Sequence, residues 1–520
     1  MKLNNVALLS VNLSSDSGTD QPPTYDIDIL NSTITTITPN TTSSSTTNNT
    51  STPSSLLLPT LCHPHIHLDK PYLLTCNHHH PSPPNHPSYA DLTPRSGTFP
   101  EAIANTAAAK TRFTPEDLLL RGRQLLATSF TQGVTSARSF VEVDHVTALR
   151  TLGVGLQLQR EFRGKVRVQL CAFAQDPIFS SEWGEENRRV LEGALAEHAV
   201  GANGSGGVEA GGGVEVLGST PYVESSRDAS VRNIKWAVAT ALKYGVHLDF
   251  HLDYNLDETK APEELVVWEV LRQLKAQSWP TRRQQGSQQK SRPPRTVVLG
   301  HCTALTLLPH TQLQRLAAEI HEADLPVYFV GLPTSDLYMM GRPPDTPPAS
   351  SSSPSSRESD AQQQQQQPMH RPRGTLNIPL LTRQYGLSCC LGVNNVGNAF
   401  TPFGTGDPLE TAGWGVGLYH AGTEADALAL YTAVSTGARE AIGLVAAPAA
   451  GAEGDAGRRE AQQGVKRGDD IAAFGMLLVR NEEWVGCPGV LGMKVPARQR
   501  WGVRDVVWDV PRVELRRVVR

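Results

Sequence analysis

The chain has 520 residues, a formal net charge of −4 and 39% hydrophobic residues. This length is enough for one large domain with a sizeable core and for a smaller second domain. The nearly balanced charge gives no reason to expect nucleic acid or an anionic membrane surface as a partner. No apolar run approaches the roughly 18 residues of a membrane span, and the first residues do not resemble a signal peptide.

The cysteines indicate a reducing compartment. Their number is odd, they form no C-x-x-C pair, and most of them lie in apolar, strand-like segments, as buried free thiols do. We therefore expect a cytoplasmic protein without a disulfide framework. The seven cysteines are Cys62, Cys76, Cys171, Cys302, Cys389, Cys390 and Cys487.

Several segments contain too little apolar surface to offset the entropy cost of ordering them, and we interpret them as inserts or linkers. Three of these low-complexity inserts interrupt the central region near 201–213, 277–295 and 342–373. A Thr/Ser/Asn tract at about 40–55 precedes the central region, and an Ala/Gly-rich stretch at 447–467 follows it. We assign no function to any of them.

Eight short apolar segments between the inserts have the composition of β-strands, and helical patterns such as Pro115–Ser129 and Ala229–Tyr244 separate most of them. This alternation predicts an α/β fold, the (β/α)8 TIM barrel, whose active site lies at the carboxyl ends of the strands. A doubly wound open sheet is the rival fold, but it needs a Gly-rich phosphate turn after its first strand. The predicted strands are Leu56–Asp69, Gly133–Val143, Val166–Gln175, Val214–Val223, Val246–Tyr254, Thr296–Ala304, Pro326–Asp336 and Leu387–Asn395.

The two ends of the chain have a different pattern from the central region. Short alternating segments at Leu3–Asn12, Tyr25–Ile37, Asp470–Arg480 and Gly502–Val518 predict further strands. We interpret residues 1–55 and 465–520 as one small composite β-domain, and residues 56–446 as the barrel.

A His-Ile-His sequence ends the first predicted barrel strand. Residues i and i+2 of a strand point to the same face, so His65 and His67 aim their imidazoles at one point. Two converging imidazoles form half of a transition-metal site, for which zinc and iron are the natural candidates. A surface pair of histidines on a loop is the alternative interpretation.

Further polar residues follow the other predicted strands. His251 near the end of the fifth strand is the natural third ligand, and His301 ends the sixth strand. The alternative is that the strand-5 histidines and aspartates pair with one another inside the barrel. Gln175 ends the third strand and Asp336 the seventh, although these two could instead be a polar cap and a helix N-cap. Asn394 and Asn395 end the eighth strand.

Together the sequence motifs at these strand ends resemble the amidohydrolase superfamily of metal-dependent hydrolases, in particular the branch with cytosine deaminase and N-isopropylammelide amidohydrolase. The similarity extends from about residue 56 to 445 and also includes the split terminal β-domain. The phrases that carry it are Pro64–Lys70, Ala172–Gln175, Asp249–Asp253, Gly300–Ala304 and Pro402–Thr405.

The resemblance implies metal-assisted hydrolysis at a site of three histidines and an aspartate, with a divalent zinc or iron ion that lowers the pKa of water toward about 7. It also implies a single metal, because Val214–Val223 lacks the lysine that bridges two metals in some members. Two positions depart from the pattern. Asn394 aligns with the strand-8 aspartate that accepts a proton, and Tyr254 aligns with a proton-shuttling glutamate. Loss of a general base typically lowers the rate by about 10²–10⁴-fold.

A carboxylate nearby could replace the missing base. Asp253 would do so if a bulge at the strand end re-aimed its side chain, and Asp257 or Glu258 could do so from the following loop. A nucleophilic cysteine mechanism is less suited to the sequence, because Cys302 and His301 are adjacent on a strand and point to opposite faces.

The predicted function is hydrolysis of a non-peptide C–N bond in a small-molecule substrate. We expect His65, His67, His251 and weakly Asn394 to bind the metal. His301 would orient the water or stabilise the oxyanion, while Gln175, Tyr254 and Asp336 would contact the substrate. One alternative is a weakly active or inactive relative that binds a small ligand, and another is a lyase or isomerase. A homo-oligomer is compatible with the sequence.

Overall fold

A computed structural model of the chain describes most of the predicted elements. The insert predicted near 201–213 and the one near 342–373 lie almost entirely outside the described residues, whereas residues 282–288 of the stretch 277–295 form a helix. The described residues are 1–8, 22–40, 54–75, 86–200, 212–288, 295–341, 373–445, 467–469, 471–487, 489–490 and 492–520.

Two large sheets and a short hairpin contain the strands. In chain order the strands are β1 (Lys2–Leu8), β2 (Thr24–Leu30), β3 (Thr33–Pro39), β4 (Ser55–Pro59), β5 (Leu61–His67), β6 (Val134–Glu142), β7 (Arg167–Ala174), β8 (Val214–Ser219), β9 (His247–Leu252), β10 (Val297–His301), β11 (Val327–Gly331), β12 (Cys389–Leu391), β13 (Met476–Arg480), β14 (Trp484–Gly486), β15 (Lys494–Pro496) and β16 (Arg516–Val519).

Helices connect the strands and cover the larger sheet. In chain order the α-helices are α1 (Phe99–Lys110), α2 (Pro115–Gln132), α3 (Arg150–Glu161), α4 (Gly184–His198), α5 (Arg227–Tyr244), α6 (Val267–Ala276), α7 (Arg282–Gln288), α8 (His310–Glu322), α9 (Pro333–Met339), α10 (Ile378–Tyr385), α11 (Pro408–Leu418), α12 (Glu424–Ala433), α13 (Thr436–Ala441) and α14 (Val503–Trp508). In the part of the chain described above, no helix has both the length and the apolar character that a membrane crossing requires.

The larger sheet is an eight-stranded barrel. Its strands follow one another from β5 to β12, and every neighbouring pair is parallel. A parallel bridge between Ile66 and Asn394 joins the end that follows β12 to β5 and closes the barrel. The predicted (β/α)8 TIM barrel is confirmed, so the carboxyl ends of the strands share one rim.

Local capping signals fix where the barrel strands begin. Helix α2 starts after Thr114, whose side chain accepts a hydrogen bond from the Asp117 N–H, and ends at Gly133 with φ 102°. Helix α5 starts after Ser226 in the same way and ends at Gly245 with φ 69°. Only glycine adopts these left-handed conformations without strain. Each glycine therefore stops a helix one or two residues before the next strand.

The second sheet combines both ends of the chain, in the order β16-β13-β4-β1-β2-β3. The segment Leu56–Asp69 was expected as one barrel strand, but it forms two strands, and β4 belongs to this second sheet. Leu57 packs into the core of the second sheet, whereas Leu56 and Leu58 pack into the barrel core, because alternate residues face opposite sides. The sheet thus packs directly against the barrel.

The carboxyl-terminal strand prediction was partly wrong. The segment Gly502–Val518 contains helix α14, a 3₁₀ turn at Val513–Leu515 and only then strand β16. Asp505 caps α14 by accepting hydrogen bonds from two backbone N–H groups, an N-terminal signal that outweighs the β-propensity of the valines. The division of the chain into domains at residues 55 and 465 stays a prediction.

Candidate active site

Three histidines from two distant strands meet at the carboxyl end of the barrel. His65 and His67 end β5, and His251 lies near the end of β9. One ring nitrogen of each lies within 4.8 Å of the others, and the Nε2 atoms of His65 and His251 are 3.0 Å apart. All three side chains are buried. The structure therefore brings together the three residues that the sequence predicted as metal ligands.

A register shift decides which histidines of β5 face the barrel interior. Strict alternation would place His63 on the same side as His65 and His67. The pairing of β5 with β6 is irregular between His63 and Ile66, and the His63 Nε2 instead lies 3.1 Å from the Ser129 hydroxyl on α2. This irregularity turns His63 outward to the helical layer and leaves two histidines for the interior.

Two glycines leave room for the His65 ring. A Cβ atom on Gly300 would lie 3.2 Å from the His65 Cε1, and one on Gly392 would lie 3.3 Å from the His65 Cβ. These positions belong to β10 and to the segment after β12, which flank the ring from two sides. A Cβ atom at either glycine would crowd the His65 side chain by a few tenths of an ångström, so both glycines help to leave space for it.

The electrostatics of the triad suit a metal ion. Burial lowers the pKa of His65, His67 and His251 well below the ordinary value, and neighbouring imidazoles and the Lys70 ammonium lower it further. The imidazoles are therefore neutral and can offer lone pairs. Two ligands of a tetrahedral zinc ion lie about 3.3 Å apart, close to the observed Nε2 separation.

Buried polar atoms without a hydrogen-bond partner also lie at the triad. Within the described residues, the Nδ1 atoms of the three histidines and the Oδ1 of Asn394 are buried without a hydrogen-bond partner. Such unpaired groups are costly in a folded protein and call for an explanation. The donor set of three neutral imidazoles and one amide oxygen is able to hold one divalent transition metal.

Asn394 is fixed beside the triad by its backbone. Its N–H donates to the His65 carbonyl at 3.0 Å, and its carbonyl accepts from the His67 N–H at 2.9 Å. Its φ of 66° is a left-handed conformation that asparagine tolerates better than most residues. The neighbouring Asn395 is used differently, because its Oδ1 accepts a hydrogen bond from Asn398.

The other polar residues of β9 do not join the triad. Asp249 lies deeper in the barrel, where its Oδ2 accepts a hydrogen bond from Arg138 at 2.8 Å. Its Oδ1 lies 3.8 Å from the His65 Nδ1. Burial raises the pKa of Asp249 to about 7, although Arg138 opposes this shift. The histidines and aspartates of β9 therefore do not pair only with one another, which was the alternative interpretation of this strand.

Asp253 has a different role from the predicted one. Its two carboxylate oxygens accept hydrogen bonds from the backbone N–H groups of Val266 and Val267, both at 3.0 Å. The carboxylate thus caps the first turn of α6. The bulge that would aim Asp253 at the triad is not observed, so the expectation that it replaces the missing base does not fit its placement.

His301 and Asp336 form a buried pair at the same rim. The His301 Nδ1 lies 2.7 Å from the Asp336 Oδ1. The second oxygen of Asp336 accepts hydrogen bonds from the Leu332 N–H at 3.2 Å and the Thr375 hydroxyl at 2.7 Å. Asp336 is therefore committed to protein partners. The prediction that it contacts the substrate does not fit this arrangement, whereas a role in holding His301 does.

Sequence reasoning missed a cation in the pocket. The Lys70 ammonium forms an ion pair with Glu142, lies 3.4 Å from the Gln175 Oε1, and lies 4.9 Å from the centre of the Phe400 ring. Only 1% of Lys70 is exposed. Its place directly after the His-Ile-His-Leu-Asp sequence is the one signal that could have identified it. Gln175 thus lies beside Lys70 at the end of β7, and its contact with the substrate stays a prediction.

A second buried lysine supports this cation through Glu142. The Lys110 ammonium lies 2.9 Å from the Glu142 Oε2, 2.6 Å from Asp144 and 2.7 Å from Asp176. Burial alone would lower the pKa of Lys110, but the three carboxylates raise it well above its ordinary value. Lys110 ends α1, far along the chain from its partners, and no local pattern could have indicated this network.

A cluster of aromatic rings lies beside His301 and Lys70 at this rim. The Tyr254 ring centre lies 5.5 Å from that of His301, and Tyr222 lies 6.5 Å from it. Phe99 on α1 contacts Tyr222, Tyr254 and Phe400 at centroid distances of 5.3 to 6.3 Å. Burial raises the pKa of Tyr254 and keeps its hydroxyl protonated. The carboxyl rim of the barrel therefore combines a cluster of neutral imidazoles, a buried cation and a group of aromatic rings.

No family model matches the chain, and no curated protein matches its sequence. Solved structures do resemble it. A 5-methylcytosine deaminase from Klebsiella pneumoniae, with 5-fluorocytosine bound, is 19% identical with a TM-score of 0.64, and the match covers 100% of this chain and 94% of that one.

Two further enzymes have a similar fold. An N-isopropylammelide isopropylaminohydrolase from Burkholderia multivorans is 18% identical with a TM-score of 0.61, covering 100% of this chain and 96% of that one. An adenosine deaminase from Xanthomonas campestris with bound zinc is 13% identical with a TM-score of 0.54, covering 95% and 85%. This chain therefore shares its fold with these enzymes, and that fold is the (β/α)8 barrel predicted from the sequence.

Proposed function

We propose that this protein is a metal-dependent hydrolase that cleaves a non-peptide C–N bond in a small molecule. The observation that carries the proposal is the convergence of His65, His67 and His251, all neutral and buried, at the carboxyl rim of a TIM barrel. Active sites of this fold lie at that rim. The enzymes of similar fold, which include two deaminases and an aminohydrolase, support the same reaction class.

In this proposal the three histidines hold one divalent zinc or iron ion, with the Asn394 Oδ1 as a weak fourth ligand. When bound, the ion supplies Lewis acidity and makes water a nucleophile near neutral pH. A single ion is proposed because β8 contains no lysine that could bridge a second one.

The pocket residues suggest the class of substrate. The Lys70 ammonium and the Gln175 amide can both contact an oxygen or ring nitrogen of a substrate. The rings of Phe400 and Tyr254 offer faces against which a planar group can stack. We therefore propose a small planar amide, amidine or aminoheterocycle, bound beside the cation and the aromatic rings at this rim.

The test combines metal analysis with a substrate panel. The purified full chain is loaded with zinc or iron, and metal is quantified by mass spectrometry beside His251→Ala and the control His310→Ala, which changes an exposed histidine on α8. Ammonia and amine release is then measured with amides, imines and aminoheterocycles. Near-stoichiometric metal in the protein and the control only, with turnover of at least one compound, is expected. Failure to retain metal would contradict the proposal.

A second candidate function is a weakly active or inactive relative that binds a small ligand in the same pocket. Asn394 and Tyr254 favour it, because neither side chain can accept a proton as a carboxylate does. Tight metal and ligand binding without turnover across the whole panel would select this alternative. The cytoplasmic location and a homo-oligomeric state stay predictions.

A further inference from the structure

The residues of the candidate site are closed to solvent. The three histidines of the triad, together with His301 and Lys70, are buried, and Phe400, the most exposed residue of this set, has 4% of its surface exposed. A molecule of the size of a substrate cannot reach the triad while these side chains stay in place. At least one group that borders the site must therefore move before a substrate can enter.

A cavity of about 310 Å³ lies next to this closed site, and Tyr222 and Tyr254 line it. The ring centres of the same two tyrosines lie 6.5 Å and 5.5 Å from that of His301. Elsewhere the lining is polar and includes the exposed residues Arg227 and Lys260. The volume is at the lower end of the range for small-molecule sites. The two tyrosines thus border both the cavity and the closed site.

The side chain of Tyr254 is held less firmly than its backbone. The Tyr254 carbonyl accepts a hydrogen bond from the Thr303 hydroxyl, and the preceding Asp253 is fixed to the first turn of α6. The Tyr254 hydroxyl, in contrast, donates a long hydrogen bond of 3.4 Å to the Asp336 carbonyl. Long hydrogen bonds are weak. The ring can therefore change its rotamer while the backbone stays in place.

Helix α1 also covers the site, and it is attached more strongly than the Tyr254 ring. At the end of α1, the Lys110 ammonium contacts three carboxylates. Near its start, the Glu101 carboxylate accepts hydrogen bonds from the backbone N–H groups of residues 95–97. Lifting α1 would separate buried charges, which is costly. Rotation of Tyr254 breaks one long hydrogen bond, so this ring is the easier group to move.

We propose that Tyr254 is a specificity-determining residue that gates the site. Its ring separates the cavity from the triad, rotates to admit a substrate, and in its closed position excludes a bulky substituent. This inference rests on the proposed function and deepens it, because it restricts the substrate to a compact planar molecule. A shorter side chain at position 254 would join the cavity to the site and make room for a substituent as large as a ring.

The first test measures access to the site in the metal-free full chain and needs no substrate. Phe400→Cys places a reporter thiol in the closed site, in the same apolar cluster as Tyr254. Its reaction with a small methanethiosulfonate is followed by peptide mass spectrometry, with the exposed Cys487 as internal reference. Adding Tyr254→Ala is expected to speed this reaction at least about tenfold.

Two controls accompany the thiol measurement. Tyr254→Phe keeps the ring, so the reporter is expected to react at nearly the rate seen with Tyr254. Tyr385→Ala removes a partly exposed tyrosine from α10 and is also expected to leave the rate unchanged. Equal reporter rates with tyrosine and with alanine at position 254 would overturn the inference.

The second test measures selectivity with the zinc-loaded enzyme. For a substrate found in the panel and an analogue with an added phenyl group, the ratio of the two kcat/KM values is determined. Tyr254→Ala is expected to raise the ratio in favour of the bulky analogue at least about tenfold. Tyr254→Phe is expected to keep the wild-type ratio. A general loss of stability lowers both kcat/KM values alike, so an unchanged ratio in Tyr254→Ala would contradict the gate.

Milder variants cover the case in which one of these proteins does not fold. Tyr254→Leu removes the ring with a smaller loss of volume, and a reporter rate between those of tyrosine and alanine is expected; a rate equal to that of tyrosine would overturn the inference. Ala399→Cys, in the same cluster, replaces the Phe400→Cys reporter if needed. If the panel yields no substrate, the proposed function fails, while the thiol measurement still decides whether Tyr254 closes the site.

Discussion

The ends of β9 and β11 each lead into a buried aspartate, and the two carboxylates differ in what they bind. Asp253, after β9, accepts hydrogen bonds from two backbone N–H groups of α6. Asp336, after β11, holds the imidazole of His301. The same residue type after two strands that flank β10 holds a helix in one place and a histidine in the other, because a different element packs against each.

The largest effect is expected from His251, the proposed metal ligand two residues before Asp253. His251→Ala removes one of three imidazoles, so we expect loss of stoichiometric metal and a decrease in kcat/KM of at least about 10³-fold. Mass spectrometry of the metal and kinetics on the same sample measure both. Retention of metal with normal stoichiometry in this variant would show that the triad is not the metal site.

The second prediction compares the two aspartates directly. Asp253→Asn weakens a helix cap, so the free energy of unfolding is expected to fall by about 1–2 kcal/mol while kcat changes less than about tenfold. Asp336→Asn is expected to lower kcat more than Asp253→Asn does, and to lower the free energy of unfolding less. Denaturant unfolding and steady-state kinetics of both variants test the contrast, which disappears if the two variants lose kcat equally.

The third prediction concerns the neutral amide beside the triad. Asn394→Asp adds an anionic oxygen next to three imidazoles, so metal affinity is expected to rise about tenfold. Competition with a chelator measures this change. Asn395→Asp is the matched control, because it adds the same charge one residue away on a side chain that is bound to Asn398. An equal rise in both variants would mean that Asn394 does not contact the metal.

The smallest expected effect concerns His63, the histidine of β5 that faces the helical layer. Burial lowers the pKa of His63 to about 3, so the folded protein resists a proton that the unfolded chain accepts below pH 6.5. His63 therefore costs stability as the pH falls from about 7 to 5.5, by about 1 kcal/mol. Urea unfolding of the wild type and His63→Gln at both pH values checks this difference. An identical pH dependence would argue that His63 is not buried in the helical layer.

Much of the barrel and half of the site follow from local sequence. Apolar segments separated by capped helices predicted the eight strands, and alternation within one strand predicted the convergence of His65 and His67. The errors arose where a short segment changes direction. Leu56–Asp69 divides into two strands at Pro59 and Thr60, and Gly502–Val518 contains a helix whose cap outweighs its valines.

The sequence by itself determined the fold class, the histidine cluster and the neutral residue at position 394. Each of these depends on a local period, a turn signal or the identity of one residue. Tertiary structure alone decided which polar groups meet: Lys70 with Glu142, Lys110 with Asp144, and His301 with Asp336. A carboxylate takes its role from the donor that packs against it, and that donor is supplied by another element of the barrel.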